Sequence, residues 1–172
     1  KNMKKKLILV CISLLLVAAI ISCGGSKKND AQALLDSVPF TKEGLVSMIK
    51  SAETLTDTEY EAMILAYSKC EIDEATLDLK TNPISEARSE IYKTRKAPAE
   101  ENIKAIQTRL LSHESPQVRG YVVENVSTFF GVSKEDRQAV LDMLKTEKNP
   151  YVINKGVRTL GNEMKDPTVA EF

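Results

Sequence analysis

The sequence predicts an all-α protein, a right-handed α-α superhelix of stacked helix pairs. Three observations carry this. Only 7 of 172 residues are Gly, while Ala, Leu, Glu and Lys recur, a composition that favours helix. Apolar residues return at three- and four-residue steps along most of the chain. A shift of 34 residues lays AIQTRLLSHESPQV (105–118) on AVLDMLKTEKNPYV (139–152) with apolar residues and proline in one register.

The N-terminus is a separate matter. Met3-Lys4-Lys5-Lys6 precedes a run from Leu7 to Ile21 that is apolar except for Ser13. Spanning ~30 Å of hydrocarbon takes about 20 apolar residues. Fifteen residues are too few for that and suit the core of a secretory signal. The run ends in Ile20-Ile21-Ser22-Cys23, followed by Gly24. This stretch resembles the lipobox of bacterial lipoproteins, with Ile20 in place of the usual Leu. The resemblance covers residues 3 to 25. It implies a signal peptide over 1–22, cleavage before Cys23, and lipid attachment at Cys23. Several acyl chains on one residue make a stable anchor, because each buried CH₂ contributes about 0.8 kcal/mol. Gly24, where an Asp would imply retention in the inner membrane, favours the outer membrane. Residues 23–31, rich in Gly, Ser and Lys, read as a flexible tether.

Residues 32–97 form an N-terminal helical region. Ala33, Leu34, Val38 and Phe40 make a first short stripe. Thr41 is the expected N-cap of a helix from Lys42 to about Glu53, with Leu45, Met48 and Ile49 inward. Thr56 or Asp57 caps the next, whose face carries Tyr60, Met63, Ile64, Tyr67 and Cys70. Asn82-Pro83 breaks any helix that reaches it. Ser85 to Lys96 reads as a charged, solvent-facing helix with few apolar anchors, Ala87, Ile91 and Tyr92.

Residues 98–172 hold the repeats. Each unit reads as a helix, a polar turn with proline, and a second helix. Ser115 and Asn149 stand as N-caps before Pro116 and Pro150, each at a first helical position where the missing N–H costs nothing. Val118, Val122, Val126 and Phe129 step by four, four and three, which is helical spacing and not the alternation of a strand. Val123 and Val126 fall on Val157 and Leu160 of the second unit. Ser115-Pro116-Gln117-Val118-Arg119 and Asn149-Pro150-Tyr151-Val152-Ile153 resemble the turns between helices of HEAT repeats. Asp166-Pro167-Thr168-Val169 looks like a further such turn. The resemblance implies a solenoid that recognises proteins, with Arg119 bracing neighbouring units, a position Ile153 takes in the second. The 34-residue period also suits tetratricopeptide repeats, but their Trp, Leu-Gly and Tyr pattern is missing. An array that stops within a unit exposes an apolar face, so the solenoid is expected to continue beyond Phe172.

Charge narrows the function. Lys and Arg together equal Asp and Glu at 24 each, and residues 1–22 carry four Lys and no acid. From Cys23 onward 20 basic residues face 24 acidic ones, about −4, which argues against nucleic acid as a partner. No nucleophile motif, phosphate loop or metal-ligand spacing stands out, so neither an enzyme nor a cofactor is expected. His113 reads as an exposed turn residue, Glu71, Asp73 and Glu74 as a solvated acidic cluster, and Cys70 as a small apolar residue on a helix. Tyr60, Tyr67 and Tyr92 are expected at the core or its edge. The expectation is a lipoprotein of the bacterial cell envelope, held to the membrane through Cys23, whose helical module binds a protein partner. The alternative is a helical accessory region of an envelope enzyme whose catalytic part lies beyond residue 172, since HEAT-like units also occur fused to catalytic domains.

Overall fold

The computed structural model describes residues 27–69, 83–130 and 134–161. Cys23, Cys70, the acidic cluster at 71–74 and the turn at 166–169 lie outside the described residues. Within them the chain is all-helical: α1 Lys27–Asp36, α2 Lys42–Met48, α3 Asp57–Lys69, α4 Pro83–Thr94, α5 Glu100–Leu110, α6 Pro116–Phe130, α7 Lys134–Thr146 and α8 Pro150–Gly161. None of these helices is long and apolar enough to cross a membrane.

Three of the eight begin at a proline. Pro83, Pro116 and Pro150 sit at first helical positions, where the helix needs no N–H. The cap expected at Thr41 is present: its Oγ1 accepts the Gly44 N–H at 3.1 Å. Asn149 caps α8, its Oδ1 accepting the Tyr151 N–H at 3.0 Å. Ser115 differs from the expectation. Its hydroxyl donates to the Gln117 side chain at 2.9 Å and accepts no helix N–H.

The most elaborate start is that of α3. Thr56-x-x-Glu59 forms a capping box, with the Glu59 N–H donating to Thr56 Oγ1 at 3.2 Å and Glu59 Oε2 accepting the Thr56 N–H at 2.9 Å. Glu59 Oε1 also accepts the N–H groups of Lys50 and Ser51 at 2.6 and 2.9 Å. Burial alone would raise the pKa of this carboxyl, but the backbone N–H groups of Thr56, Lys50 and Ser51 outweigh it and hold it at about 2. This corrects the expected length of α2. The helix ends at Met48 and not near Glu53, because Glu59 takes the N–H groups of residues 50 and 51. The following strip then bridges to Lys96 (Leu55 N–H to Lys96 O, 2.9 Å; Lys96 N–H to Glu53 O, 2.8 Å).

Packing follows a row: α8 lies on α6, α6 on α3, and α3 on α1, while α4 pairs with α2, α5 touches α3 and α6, and α7 lies on α8. The buried apolar residues of α1 through α8, Val152 apart, form one continuous cluster from Ala31 to Leu160. Gly44 lets α2 approach the preceding turn, since a Cβ there would stand 2.1 Å from the Pro39 carbonyl oxygen.

Four expectations change in three dimensions. The tether expected over 23–31 gives way to helix at Lys27, and Ala31 is fully buried. Of the first stripe Ala33 and Phe40 are exposed, and the buried residues of α1 are Ala31 and Leu35, which the stripe did not include. The charged helix α4 is not solvent-facing all round: Ile84, Ala87 and Ile91 are buried against α2 and α3. Three apolar residues at i, i+3 and i+7 are enough to seat one face. In α8, Leu160 is buried as its register implies, but Val157 is 52 % exposed.

Candidate functional site: the junction between two helix pairs

The two related segments supply two helix pairs, α5 with α6 and α7 with α8. The second helices meet closely. Thr159 Oγ1 donates to the Val123 carbonyl at 3.3 Å, and Lys155 Nζ reaches both Glu124 carboxylate oxygens at 2.8 Å. Gly156 sits under Leu144, whose methyl carbons would be 2.6 and 2.8 Å from a Cβ there. Gly120 similarly admits the Tyr151 ring.

Arg119 locks the two turns together. Its Nη1 donates to the carbonyls of His113 and Glu114 at 2.7 and 2.9 Å. Its Nε and Nη2 donate to Glu147 at 2.6 and 3.0 Å. Glu147 Oε1 also accepts the N–H groups of Lys148 and Asn149 at 2.9 and 2.8 Å. One guanidinium thus holds the first turn from within and grips the second through a carboxylate that is itself wrapped by backbone. The side chains are 16 % and 7 % exposed, so the pair is largely desolvated. The Arg119 hydrogen bonds pull the Glu147 pKa down to about 2 against the opposing effect of burial. The expected bracing role of Arg119 corresponds to this contact. Its partner Glu147 was not read from the sequence, although it stands in the second turn where the first carries His113.

Beside this clamp, and lined in part by Arg119 and Glu147 themselves, α5 and α7 leave a groove of about 670 Å³ between them. Leu111, Ala139 and Met143 are its apolar residues, and His113, Glu114 and Asp142 bring polar edges. A smaller groove of about 370 Å³, lined by Leu65, Lys69 and Gln117 among others, lies across the same turn, and His113 and Glu114 line both. The turn therefore forms a wall between two hollows. His113 Nδ1 accepts the Ser115 N–H at 3.1 Å, which assigns the neutral imidazole's proton to Nε2. The ring stabilises its own turn.

A second gathering of side chains was not anticipated as a unit. Tyr60, Tyr67, Tyr92 and Tyr121 converge around a cavity of about 20 Å³. Tyr67 and Tyr121 stack with ring centroids 4.5 Å apart at 34°. The Arg88 guanidinium lies 5.8 and 5.6 Å from the centroids of Tyr67 and Tyr92. Burial raises the phenol pKa values of Tyr60, Tyr92 and Tyr121, the last to about 12, so the hydroxyls keep their protons. Elsewhere, Arg109 forks onto the buried Glu61 carboxylate, joining α5 to α3. Sequence reasoning had no handle on Glu61, Gln107 or Tyr121, because long-range partners leave no periodic signature.

Among the described residues no group of three His, Cys, Asp or Glu side chains is placed to hold a metal ion. Compared with protein-family models, curated proteins and solved structures, the chain finds no match in any of the three.

Proposed function

We propose that this chain is a lipid-anchored protein of the bacterial cell envelope, with a non-enzymatic, HEAT-like helical module that binds a protein partner. The observation that carries the binding role is the junction: two helix pairs in one 34-residue register, tied by Arg119 and Glu147, with a groove of about 670 Å³ on their open side. Fixed turns and an apolar strip between polar edges make a surface that a partner can enter without the module reorganising. The superhelical arrangement of the pairs is part of the same proposal. The anchor rests on the sequence around Cys23, and the outer membrane is favoured by Gly24.

Two experiments test the two halves separately. Fatty-acid labelling in cells should mark the wild-type chain and not Cys23→Ala; label retained by the variant would remove the anchor. Capture from envelope extracts should recover a partner that is lost with Ala139→Lys, a substitution in the groove. Equal capture by the folded variant would move binding away from this junction.

A further inference from the structure

We propose that the outward face of α8 docks an amphipathic helix of a partner protein, apolar along its centre and acidic at one edge. This face is distinct from the groove and does not depend on it. The contact between α6 and α8 shows how such a face is covered. On α6, Arg119 grips Glu147, Gly120 admits the Tyr151 ring, the Val123 carbonyl accepts the Thr159 hydroxyl, and Glu124 takes Lys155. The 34-residue register carries these four positions to Ile153, Asn154, Val157 and Arg158 of α8. All four are exposed. The strip ends at Gly161, where a Cβ would meet nothing within 4 Å among the described residues. The opposite side of α8 is the one already engaged: Gly156 meets Leu144 of α7, and Thr159 meets Val123 of α6. α8 therefore presents again the face that α6 buries.

The differences between the two faces define the chemistry of the cover. Val157 keeps the apolar centre of Val123. Where Arg119 takes the Glu147 carboxylate, Ile153 calls for an apolar side chain. Where Glu124 takes the Lys155 ammonium, Arg158 calls for a carboxylate. Ile153 and Val157, one helical turn apart, are the anchors on which an apolar helix face can lie. An ion pair at an exposed edge adds little affinity and acts chiefly on the choice of partner. That choice goes against a second copy of this chain. Its own α8, laid on this face as α8 lies on α6, would set Lys155 against Arg158 and Glu147 against Ile153.

The probe is a peptide of residues 147–161 carrying Glu147→Leu and Lys155→Glu. A hydrocarbon staple across its positions 153 and 157 keeps it helical and blocks stacking on itself. In the full chain in detergent, with Ile and Val methyls labelled for NMR, it should shift the Ile153 and Val157 signals saturably. The buried Ile84 of α4 should stay in place. The same peptide with Lys155 kept should bind severalfold more weakly at low salt, and Arg158→Glu in the chain should invert that order. Val157→Asp should weaken the probe at least tenfold with the helical circular dichroism intact. Ala139→Lys, in the groove, should leave it unchanged, so this face and the groove fail separately. Absence of saturable shifts, or equal affinity of both peptides for both chains, would overturn the proposal. So would shifts of Ile153 and Val157 with chain concentration alone, which assign the face to a second copy. Binding gained only when the chain is cut after Gly161 would assign it to residues 162–172 and overturn it equally.

Discussion

Val123 and Val157 occupy the same place in two units 34 residues apart, and their fates differ. Val123 is fully buried beneath α8, whereas Val157 is 52 % exposed. Four residues before each valine stand Arg119 and Ile153. Arg119 is engaged with Glu147 across the junction, and Ile153 is 36 % exposed. The lesson concerns what a register means. Helical periodicity marks which face a residue points from, and it is the neighbouring unit that decides whether that face is covered.

The sharpest way to break this comparison is to charge both valines. Val123→Asp places a carboxylate in a dry contact and should cost about 4 kcal/mol or more, enough to unfold a domain of ordinary stability. Val157→Asp should stay within about 0.5 kcal/mol. Urea denaturation of the two variants reads the difference directly. Equal losses would mean that the face of Val157 is covered after all.

Next in size is the ion pair. Arg119→Ala leaves Glu147 buried without its cation and releases the carbonyls of His113 and Glu114, and should cost about 3 kcal/mol. Ile153→Ala, at the matching position, should cost under about 1 kcal/mol. A double-mutant cycle with Glu147→Gln should show coupling of about 1–3 kcal/mol between the two turns. A coupling near zero would make the clamp incidental.

Acid sharpens the comparison in another way. Glu147 and Glu59 have folded-state pKa values of about 2, below the ordinary 4.5. Each therefore contributes stability that is fully present above pH 4.5 and is lost as pH falls through about 2. The loss is at most on the order of 3 kcal/mol for each carboxylate. Denaturant midpoints followed from pH 6 to pH 2 should fall steadily, and Glu147→Gln should remove about half of that slope. An unchanged slope would assign the acid sensitivity to Glu59 alone.

The smallest effects separate two caps. Thr56→Ala removes a hydroxyl that serves the start of α3 and the carboxylate of Glu59, and should cost about 1 kcal/mol. Ser115→Ala, whose hydroxyl meets only the Gln117 side chain, should cost less than about 0.5 kcal/mol. Thermal melts resolve a gap of this size.

Much of the local structure was legible because its signals are local. Thr41, Asn149 and the prolines at 83, 116 and 150 act within a turn of where they stand, and the 3.6-residue period of α5, α6 and α7 needs no partner to be seen. The length of α2 and the buried face of α4 escaped because both depend on distant groups. Glu59 withdraws two N–H groups from the strip after Met48, and α2 and α3 cover Ile84, Ala87 and Ile91. The candidate junction was half legible, through Arg119 and the turn but without Glu147. The tyrosine cavity could not be assembled from spacing at all, since its residues come from four helices.

By itself the sequence determined the helical class, the 34-residue repeat and the points where helices start, all consequences of period, propensity and capping. It also carries the pattern around Cys23 on which the proposed anchor depends. Tertiary structure alone decided that Val123 is buried and Val157 is not, that Arg119 meets Glu147, and that four tyrosines share a cavity with Gln107. Those outcomes depend on which helix lies beside which, and burial, desolvation and ion pairing exist only once the neighbour is in place.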